Sequence, residues 1–506
     1  MAKLPLALDR AGKTPLAEQI YGAIREAIEA GRLAVGARLP SWRDLAAQLG
    51  VSRGTVRLAY ERLVAEHFAI GRGAAGTRVS DRPPTGSSTP NWSPDPPPLP
   101  DLFPDFRTVP LPFQMGVPSQ NAFPLKLWSR ILARETRQAA AHVTYPDPRG
   151  EPDLRKEIAA YLAVARGLHC TPSEIFVTSG FPAALGLAVR GLELEGKRAW
   201  MEEPGFPLTR TALRLAGLTV EAVPVDEEGM AVAASLRGAN GAALAVVTPG
   251  QQAPLGMTMS LARRAALLAW AQHNDGWIIE DDYLSELQLK GRAAPALASL
   301  DQGGRVLHIG SFSKTISPAI RLGFMVVPRE LARRFAELVA CLAPAPAVPV
   351  QLAVAQFMRQ GHYIRHLRRM KRLYAARRAS LLRCLDEVAS GSMEVKATAG
   401  LAVVTTLPEA TSDMDVVRRA LPFGLAPSPL SAWHMQSPQQ GLLLGVTNLD
   451  ERRLLADCRT LATLVGCPGG GGGQGGIRTH GGREPTPAFK TGALNHSATC
   501  PRGSDQ

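Results

Sequence analysis

The sequence predicts an α/β protein in two folded parts, a small helical head and a large domain built on a mostly parallel sheet. Three observations carry this. The chain has 506 residues, and because single cores stop growing near roughly 250 to 300 residues, a chain of this length divides. Asp81 to Pro112 is dense in proline and poor in helix formers, which makes it an extended, semi-rigid spacer. Beyond it, short apolar runs (IFVTSG, ALAVVTP, GWIIEDD, VLHIGS) alternate with helix-like stretches such as Leu261 to Asn274, the rhythm of strand-helix-strand units. The expected boundaries are a head over 1–80, the spacer over 81–112, the large domain over 113–467 and a glycine-rich tail over 468–506. The tail has hardly any apolar periodicity and reads as disordered.

Bulk composition narrows the function classes. Hydrophobic residues make up 45% of the chain, as in a globular protein, and no apolar run reaches the roughly 20 residues a membrane-spanning helix needs. The first residues, MAKLPLALDR, carry no apolar stretch behind their basic residues, so nothing marks secretion and the cytoplasm is expected. Cys170, Cys341, Cys384, Cys458, Cys467 and Cys500 are scattered. None has the short paired spacing of a zinc or redox motif, so neither metal nor disulfide is expected. A formal charge of +13 favours an acidic partner, nucleic acid above all.

In the head, Leu16, Ile20, Ile24 and Ile28 recur at intervals of four, a one-faced helix. A second helix, Trp42 to Leu49, is ended by Gly50, and Ser52 can cap a third, RGTVRLAYERLVAE. Two helices joined by a tight glycine-bearing turn form a helix-turn-helix. Its second helix enters the major groove by its N-terminal turn, where Ser52, Arg53, Thr55 and Arg57 stand. Arginine reads guanine bidentately, and Ser and Thr bond phosphates or bases. GRGAAGTRV follows as a basic hairpin, with Arg72 and Arg78 near the DNA backbone. Met1 to Ser80 holds twelve Lys and Arg against seven Asp and Glu, which suits the electrostatic part of DNA binding. The competing reading is an amphipathic helical bundle with solvated arginines.

In the large domain the strongest chemical signal is GSFSKTISPAIRLGF. A lysine after a strand and a serine-rich turn, with an arginine seven residues on, suits a cofactor that needs an amine for a Schiff base and a cation for its phosphate. Lys314 supplies the amine, and Ser311 and Arg321 the phosphate site. Upstream, alternation along WIIEDDYLSE sends Asp281 and Tyr283 to the same face. The carboxylate can hold a pyridine nitrogen protonated and the phenol can bond the ring's 3′ oxygen. Ser179, Gly180 and Phe181 open a helix and offer backbone donors to an anion. Phe206 in EEPGFP can stack on the ring. Each piece alone has an ordinary structural reading, as a surface turn, a strand end or a core aromatic.

Two resemblances join these pieces. PLAEQI, the run GARLPSWRDLAAQLGVSRGTVRLAYERL and the glycine-bearing wing resemble the winged helix of the GntR regulators from Pro15 to Val79. That resemblance implies DNA contacts at Arg38, Ser41, Arg43, Ser52, Arg53, Thr55, Arg57 and the wing tip near Gly73. TYPDPRGEPDLRKEIAAYLAVARGL, EEPGF, TPGQQAPLGMTMSLARR, IIEDDYLSE, GSFSK, GHYIRHLRRMKRLYAARR and GLLLG resemble the fold-type I aminotransferases between Tyr145 and Gly445. The combination is similar to the MocR/GabR subfamily, a winged helix-turn-helix fused to an aminotransferase fold type I domain dependent on pyridoxal 5′-phosphate (PLP). By resemblance Lys314 bonds the cofactor, Asp281 pairs with its ring nitrogen, Tyr283 touches its 3′ oxygen, and Tyr145 reaches the phosphate of the neighbouring subunit's cofactor. That implies a homodimer with shared sites and swapped heads.

The departures bear on the effector more than on the cofactor. The subfamily has paired glutamines where this chain has Pro182 and Ala183, a histidine and an aromatic where it has Gln251 and Ala253, and commonly a tyrosine at Phe206. An arginine that grips a substrate carboxylate is absent from GLLLGV, where Leu443 or its neighbour stands. The basic stretch Arg365 to Arg378 reads either as a solvated helix face or as a contact to DNA flanking an operator. The resulting expectation is a regulator of a double-stranded DNA operator that senses PLP or an amine or amino-acid effector. A working aminotransferase with a DNA-binding head, and a regulator that has lost the cofactor, are the alternatives.

Overall fold

Leu16, Ile20, Ile24 and Ile28 lie along one face of helix α1 (Leu16–Glu29) in the computed structural model, where Ile20 and Ile24 are fully buried. The structure describes residues 6–466 apart from 13, 74–75, 82, 84–109, 142–143, 233–240, 290, 292 and 389–392. Almost all of the spacer and the whole of the 468–506 tail therefore lie outside the described residues. The chain parts into two compact units between Arg107 and Thr108.

In the first unit, Ser41 caps α2 (Trp42–Leu49) by accepting from the Asp44 amide at 3.1 Å, and Gly50 ends that helix in the left-handed region at φ 61°. A residue with a Cβ is strained at such an angle, so glycine is the natural stop. Two residues on, Ser52 caps α3 (Arg53–Ala65) by accepting from the Thr55 amide at 3.1 Å. Ile20, Ile24, Leu39, Leu45, Val56 and Leu63 close a core between the three helices. An antiparallel hairpin of β1 (Ala69–Gly71) and β2 (Thr77–Val79) follows as the wing. The Arg78 guanidinium donates to the Gly36 carbonyl at 2.9 Å, tying the wing to the turn before α2.

The second unit is organised by an eight-stranded sheet in the order β3 (Ile175–Thr178), β10 (Gly323–Val326), β9 (Val306–Ser311), β8 (Trp277–Asp282), β7 (Leu244–Val247), β4 (Arg198–Glu203), β5 (Thr219–Asp226), β6 (Gly229–Met230). From β9 through β5 every pairing is parallel. Strand β10 runs antiparallel to both of its neighbours. Strands β3, β7 and β10 are buried on both faces, which is why they read as continuous apolar runs. A second, antiparallel sheet joins β11 (Glu394–Ala399), β12 (Ala402–Thr406), β14 (Gly441–Gly445) and β13 (Ser428–Pro429) in that order. The basic stretch lies on the long helix His362–Val388. There Arg368, Arg369 and Arg372 are exposed, but Arg378 is buried, so the stretch is not one solvated face.

Strand β8 separates two polar environments. Glu280 and Asp282 point to one face, where Asp282 receives Arg166 Nε at 2.6 Å and Glu280 pairs with His308 Nδ1 at 3.0 Å. Glu280 also accepts the backbone amides of Leu297 and Ala298. Burial alone would raise the Glu280 carboxyl, but His308 and Arg166 overcome it and hold it at about 2. Burial likewise disfavours the His308 cation, and Glu280 reverses this and raises its pKa. Burial and the Asp282 charge push the nearby Glu286 up to about 7. Removing one member of such a pair leaves an uncompensated buried charge. Arg166→Met is expected to lower stability by about 3 to 5 kcal/mol in urea unfolding, with part recovered by adding Asp282→Asn. An unchanged midpoint in the single variant would show that Asp282 needs no counter-ion.

Candidate functional site

Lys314 stands three residues beyond the end of β9 in a part-buried turn, and its Nζ donates to the carbonyl of Gly116 at 2.7 Å. Gly116 has φ +79°, and a Cβ there would lie 2.8 Å from Nζ, so the glycine makes room for the amine. Burial lowers the Lys314 pKa to about 8, against the opposing pull of the Asp281 carboxylate. Asp281 lies on the face of β8 opposite to Glu280 and Asp282. Burial, then the carboxylates of Asp282 and Glu202, push its pKa well above the usual range, with Lys314 opposing. Tyr283, two residues on, is also raised by burial and packs with Met115, Phe206 and Ala253. An amine prone to lose its proton thus faces a carboxyl prone to keep one.

A row of anion donors adjoins this pair. On β10, Gly323 pairs with Ser311 of β9 on one side and Thr178 of β3 on the other. A Cβ on Gly323 would come 3.0 Å from the Cα of Gly180, so the row is closed up by small residues. Gly180, at φ +95°, is the N-cap of the helix Phe181–Gly191. The first-turn amides of a helix have no partner within it and carry the positive end of its dipole. Pro182 lacks an N–H, which leaves Gly180, Phe181 and Ala183 as donors there. Ser311 Oγ accepts from the Ser313 amide at 3.2 Å. Arg321, two residues before Gly323, is exposed, and its side chain bonds nothing among the described residues. Serine, helix amides and a free guanidinium are the donor set of a phosphate site.

Two further residues were named from sequence. Phe206 is the N-cap of the helix Pro207–Leu215, with its ring 5.3 Å from that of Trp433. Tyr145 is fully exposed in the single chain, at 102% relative accessibility. Sequence reasoning missed the Gly116 carbonyl, because nothing in the run QMGVP marks an acceptor for a lysine almost two hundred residues away. It also passed over Glu202 in EEPGF. That carboxyl is buried, accepts Thr248 Oγ1 at 2.5 Å and the Thr248 amide at 3.2 Å, and is pushed to about 7 by burial. Leu443 is completely buried in an apolar cluster with Ala253, Val404, Leu430 and Trp433.

On the head, Ser52 Oγ lies 2.7 Å from Thr55 Oγ1 at the start of α3, so both hydroxyls are engaged locally. Ser41 is held in the same way by Asp44. Arg53 and Arg57 project from the exposed side of α3, Arg57 with a loose contact to Glu61 at 3.4 Å. Arg43 lies over the Trp42 ring at 4.9 Å, and Arg38 lies beside Gly76 at the base of the wing whose tip is Gly73.

Two family models match the chain: bacterial regulatory proteins of the gntR family over residues 16–79, and aminotransferase class I and II over residues 119–429. Among the most similar relatives is the probable rhizopine catabolism regulatory protein MocR of Rhizobium meliloti, 37% identical over 463 residues, covering 89% of this chain and 93% of that one. The HTH-type pyridoxine biosynthesis transcriptional regulator PdxR of Corynebacterium glutamicum is 32% identical, covering 90% and 97%. Among solved structures, the α-aminoadipate aminotransferase LysN of Thermus thermophilus, complexed with N-(5′-phosphopyridoxyl)-L-leucine, aligns at a TM-score of 0.64 and 25% identity. It covers 70% of this chain and 92% of that one.

For the head, Arg53→Ala and Arg57→Ala separate two roles. A residue that reads a base is expected to cost about 1 to 3 kcal/mol on the cognate site and relax specificity at one position. One that neutralises a phosphate weakens all sequences alike and lowers the salt slope by about one. Fluorescence anisotropy across a salt series checks this, and unchanged affinity in both variants would remove α3 as the reading helix.

Proposed function

The chain belongs to the MocR-like transcription regulators, a gntR-family head joined to an aminotransferase class I and II domain, and from that premise we propose that its large domain is a PLP-dependent sensor. PLP is held at Lys314, and its presence, or its reaction with an amine or amino-acid effector, sets how the head engages a DNA operator. The observation that carries this reading is the pairing of a lysine of lowered pKa with a half-buried carboxyl of raised pKa beside a row of anion donors. The residues present fit the cofactor: Lys314 for its aldehyde, Asp281 for the ring nitrogen, Tyr283 for the 3′ oxygen, and Ser311, Arg321 and the Gly180–Phe181 amides for the phosphate. Phe206 and Tyr283 pack against the same apolar cluster, which leaves Phe206 to cover the ring.

When bound, PLP supplies an aldehyde that condenses with a primary amine and a ring that withdraws electrons from the product. The chain's own groups prepare for this. With a pKa of about 8, roughly a tenth of Lys314 is unprotonated at pH 7, some hundreds of times more than for an unperturbed lysine. The Gly116 carbonyl orients the nitrogen. Asp281 holds a proton while its surroundings are apolar and becomes the counter-charge when a cation is placed beside it. The fully exposed Tyr145 supports a homodimer in which each subunit completes its partner's phosphate site, with the heads swapped. No helix among the described residues is long and apolar enough to cross a membrane, and the protein is proposed to act in the cytoplasm.

A full aminotransferase needs a grip on the substrate carboxylate, and the apolar burial of Leu443 removes the arginine from the strand where the subfamily carries it. This favours sensing over turnover. Adding PLP to the purified protein is expected to give a yellow species, absent in Lys314→Ala. Because the unprotonated amine is the nucleophile, the rate of yellowing should rise with pH, reach half its maximum near pH 8 and level off above that. Equal yellowing in the alanine variant would refute the assignment of Lys314.

A further inference from the structure

We propose that Arg10, in the stretch ahead of the winged helix, is a positioning residue for DNA recognition that clamps the turn between α2 and α3. The clamp belongs to the head alone and works with or without PLP in the large domain. The gntR match begins at residue 16, so Arg10 lies outside the part of the head that the family accounts for. Its Nη2 donates to the Leu49 carbonyl at 2.9 Å and to the Gly50 carbonyl at 3.1 Å. Leu49 ends α2, and Gly50 opens the turn that leads to Ser52, the cap of α3. The last carbonyls of a helix have no partner within it and carry the negative end of its dipole, so a guanidinium there satisfies both the bond and the charge. Gly50 also makes room for it: a Cβ there would lie 3.1 Å from Arg10 Nη2.

A long, exposed side chain holds a turn only if its own backbone is held, and here it is. Leu6 and Leu8 pack on the core of the head. Gln19, on α1, then grips the chain that follows. Its Oε1 accepts the Asp9 amide at 2.9 Å, and its Nε2 donates to the carbonyls of Asp9 and Thr14, each at 2.8 Å. Asp9 Oδ1 accepts the amides of Ala11 at 2.9 Å and Gly12 at 3.0 Å, which turns the chain between Asp9 and Gly12. Arg10 is thus fixed at its base by α1 and at its tip by the α2–α3 turn.

The core alone does not fix that turn. Leu45 and Ala46 are buried in the middle of α2, and the next buried residue is Val56, so none of residues 47–55 is buried. Leu49 and Val51 pack on the core only in part. Yet Ser52, Arg53, Thr55 and Arg57 all follow from this stretch, and the angle at which α3 leaves it sets where they reach. Hydrogen bonds to base edges weaken steeply when donor and acceptor are misaligned, whereas contacts to phosphates fix position and carry no sequence information. Loosening the turn should therefore cost recognition of a sequence more than it costs attraction to DNA in general.

The test uses the full-length protein and two duplexes of equal length, one selected by the wild type from a randomised pool and one a scrambled version of it, followed by fluorescence anisotropy across a salt series. In Arg10→Met the selected duplex is expected to bind about five- to thirtyfold more weakly, while the scrambled duplex stays within about twofold of wild type and its salt slope changes by less than about half a unit. Gln19→Leu removes no charge and should reproduce this loss, and the double variant should be no weaker than the weaker single, because both release one clamp. Arg10→Lys keeps a donor and should restore part of the affinity. Amide exchange over residues 47–55 should quicken in Arg10→Met and Gln19→Leu while that of α1 holds. An equal loss on both duplexes with the slope lower by about one would make Arg10 a phosphate contact and overturn the clamp. Unchanged binding of the selected duplex in either single variant, or exchange that quickens across the whole head, overturns it as well.

Discussion

Everything at the Lys314 site depends on the pleat of strand β8. Successive side chains point to opposite faces, so Asp281 faces the lysine while Glu280 and Asp282 face away from it. Three consecutive acids in one environment would repel each other strongly. Here the two outer ones are held by His308 and Arg166, and the middle one is left without a cation of its own except Lys314. The compensated side keeps the strand in place, and the uncompensated side leaves a carboxyl whose charge is decided by what is put beside it. A one-residue slip of β8 would exchange the two sets and leave both without partners, so its register against β7 and β9 is also the register of the site.

Beside β8, the antiparallel strand β10 does the second piece of positioning. It lies between β3 and β9, and its first residue, Gly323, brings Ser311 next to the end of β3 and the helix that starts at Phe181. A side chain at Gly323 would force these apart, since the Gly310 carbonyl lies 2.9 Å from where its Cβ would be. The anion donors therefore come from three strand ends drawn together by a glycine.

Much of this is legible in the sequence because it is local. Ser41, Gly50 and Ser52 mark the ends of α2 and α3 through capping that depends on a few neighbouring residues. The runs IFVT, VLHIGS and WIIEDD become β3, β9 and β8 because strands buried on both faces open on consecutive apolar residues. Resemblance supplied the grouping of Lys314 with Asp281 and Ser311. What could not be read are contacts set by distant chain segments. The insertion of β10 between β3 and β9 leaves no trace in residue order, and the same holds for the Gly116 carbonyl on Lys314. The bond from Arg78 to the Gly36 carbonyl went unread as well, because a basic residue on a wing looks alike whether or not it also holds a neighbouring carbonyl. Arg378 was absorbed into a run of exposed cations, since the helical turn that buries it shows only when the helix is packed.

The charge pattern around Lys314 also bears on how a ligand can act at a distance. An effector changes DNA binding only by as much as it prefers one conformation over another, however tightly it binds. Asp281 has no cation of its own except Lys314, whose pKa burial lowers to about 8. A cation placed beside Asp281 is therefore worth most in an arrangement that keeps water from the pair and least in one that admits it. Each tenfold of that selectivity is worth about 1.4 kcal/mol toward whichever state of the protein contains it.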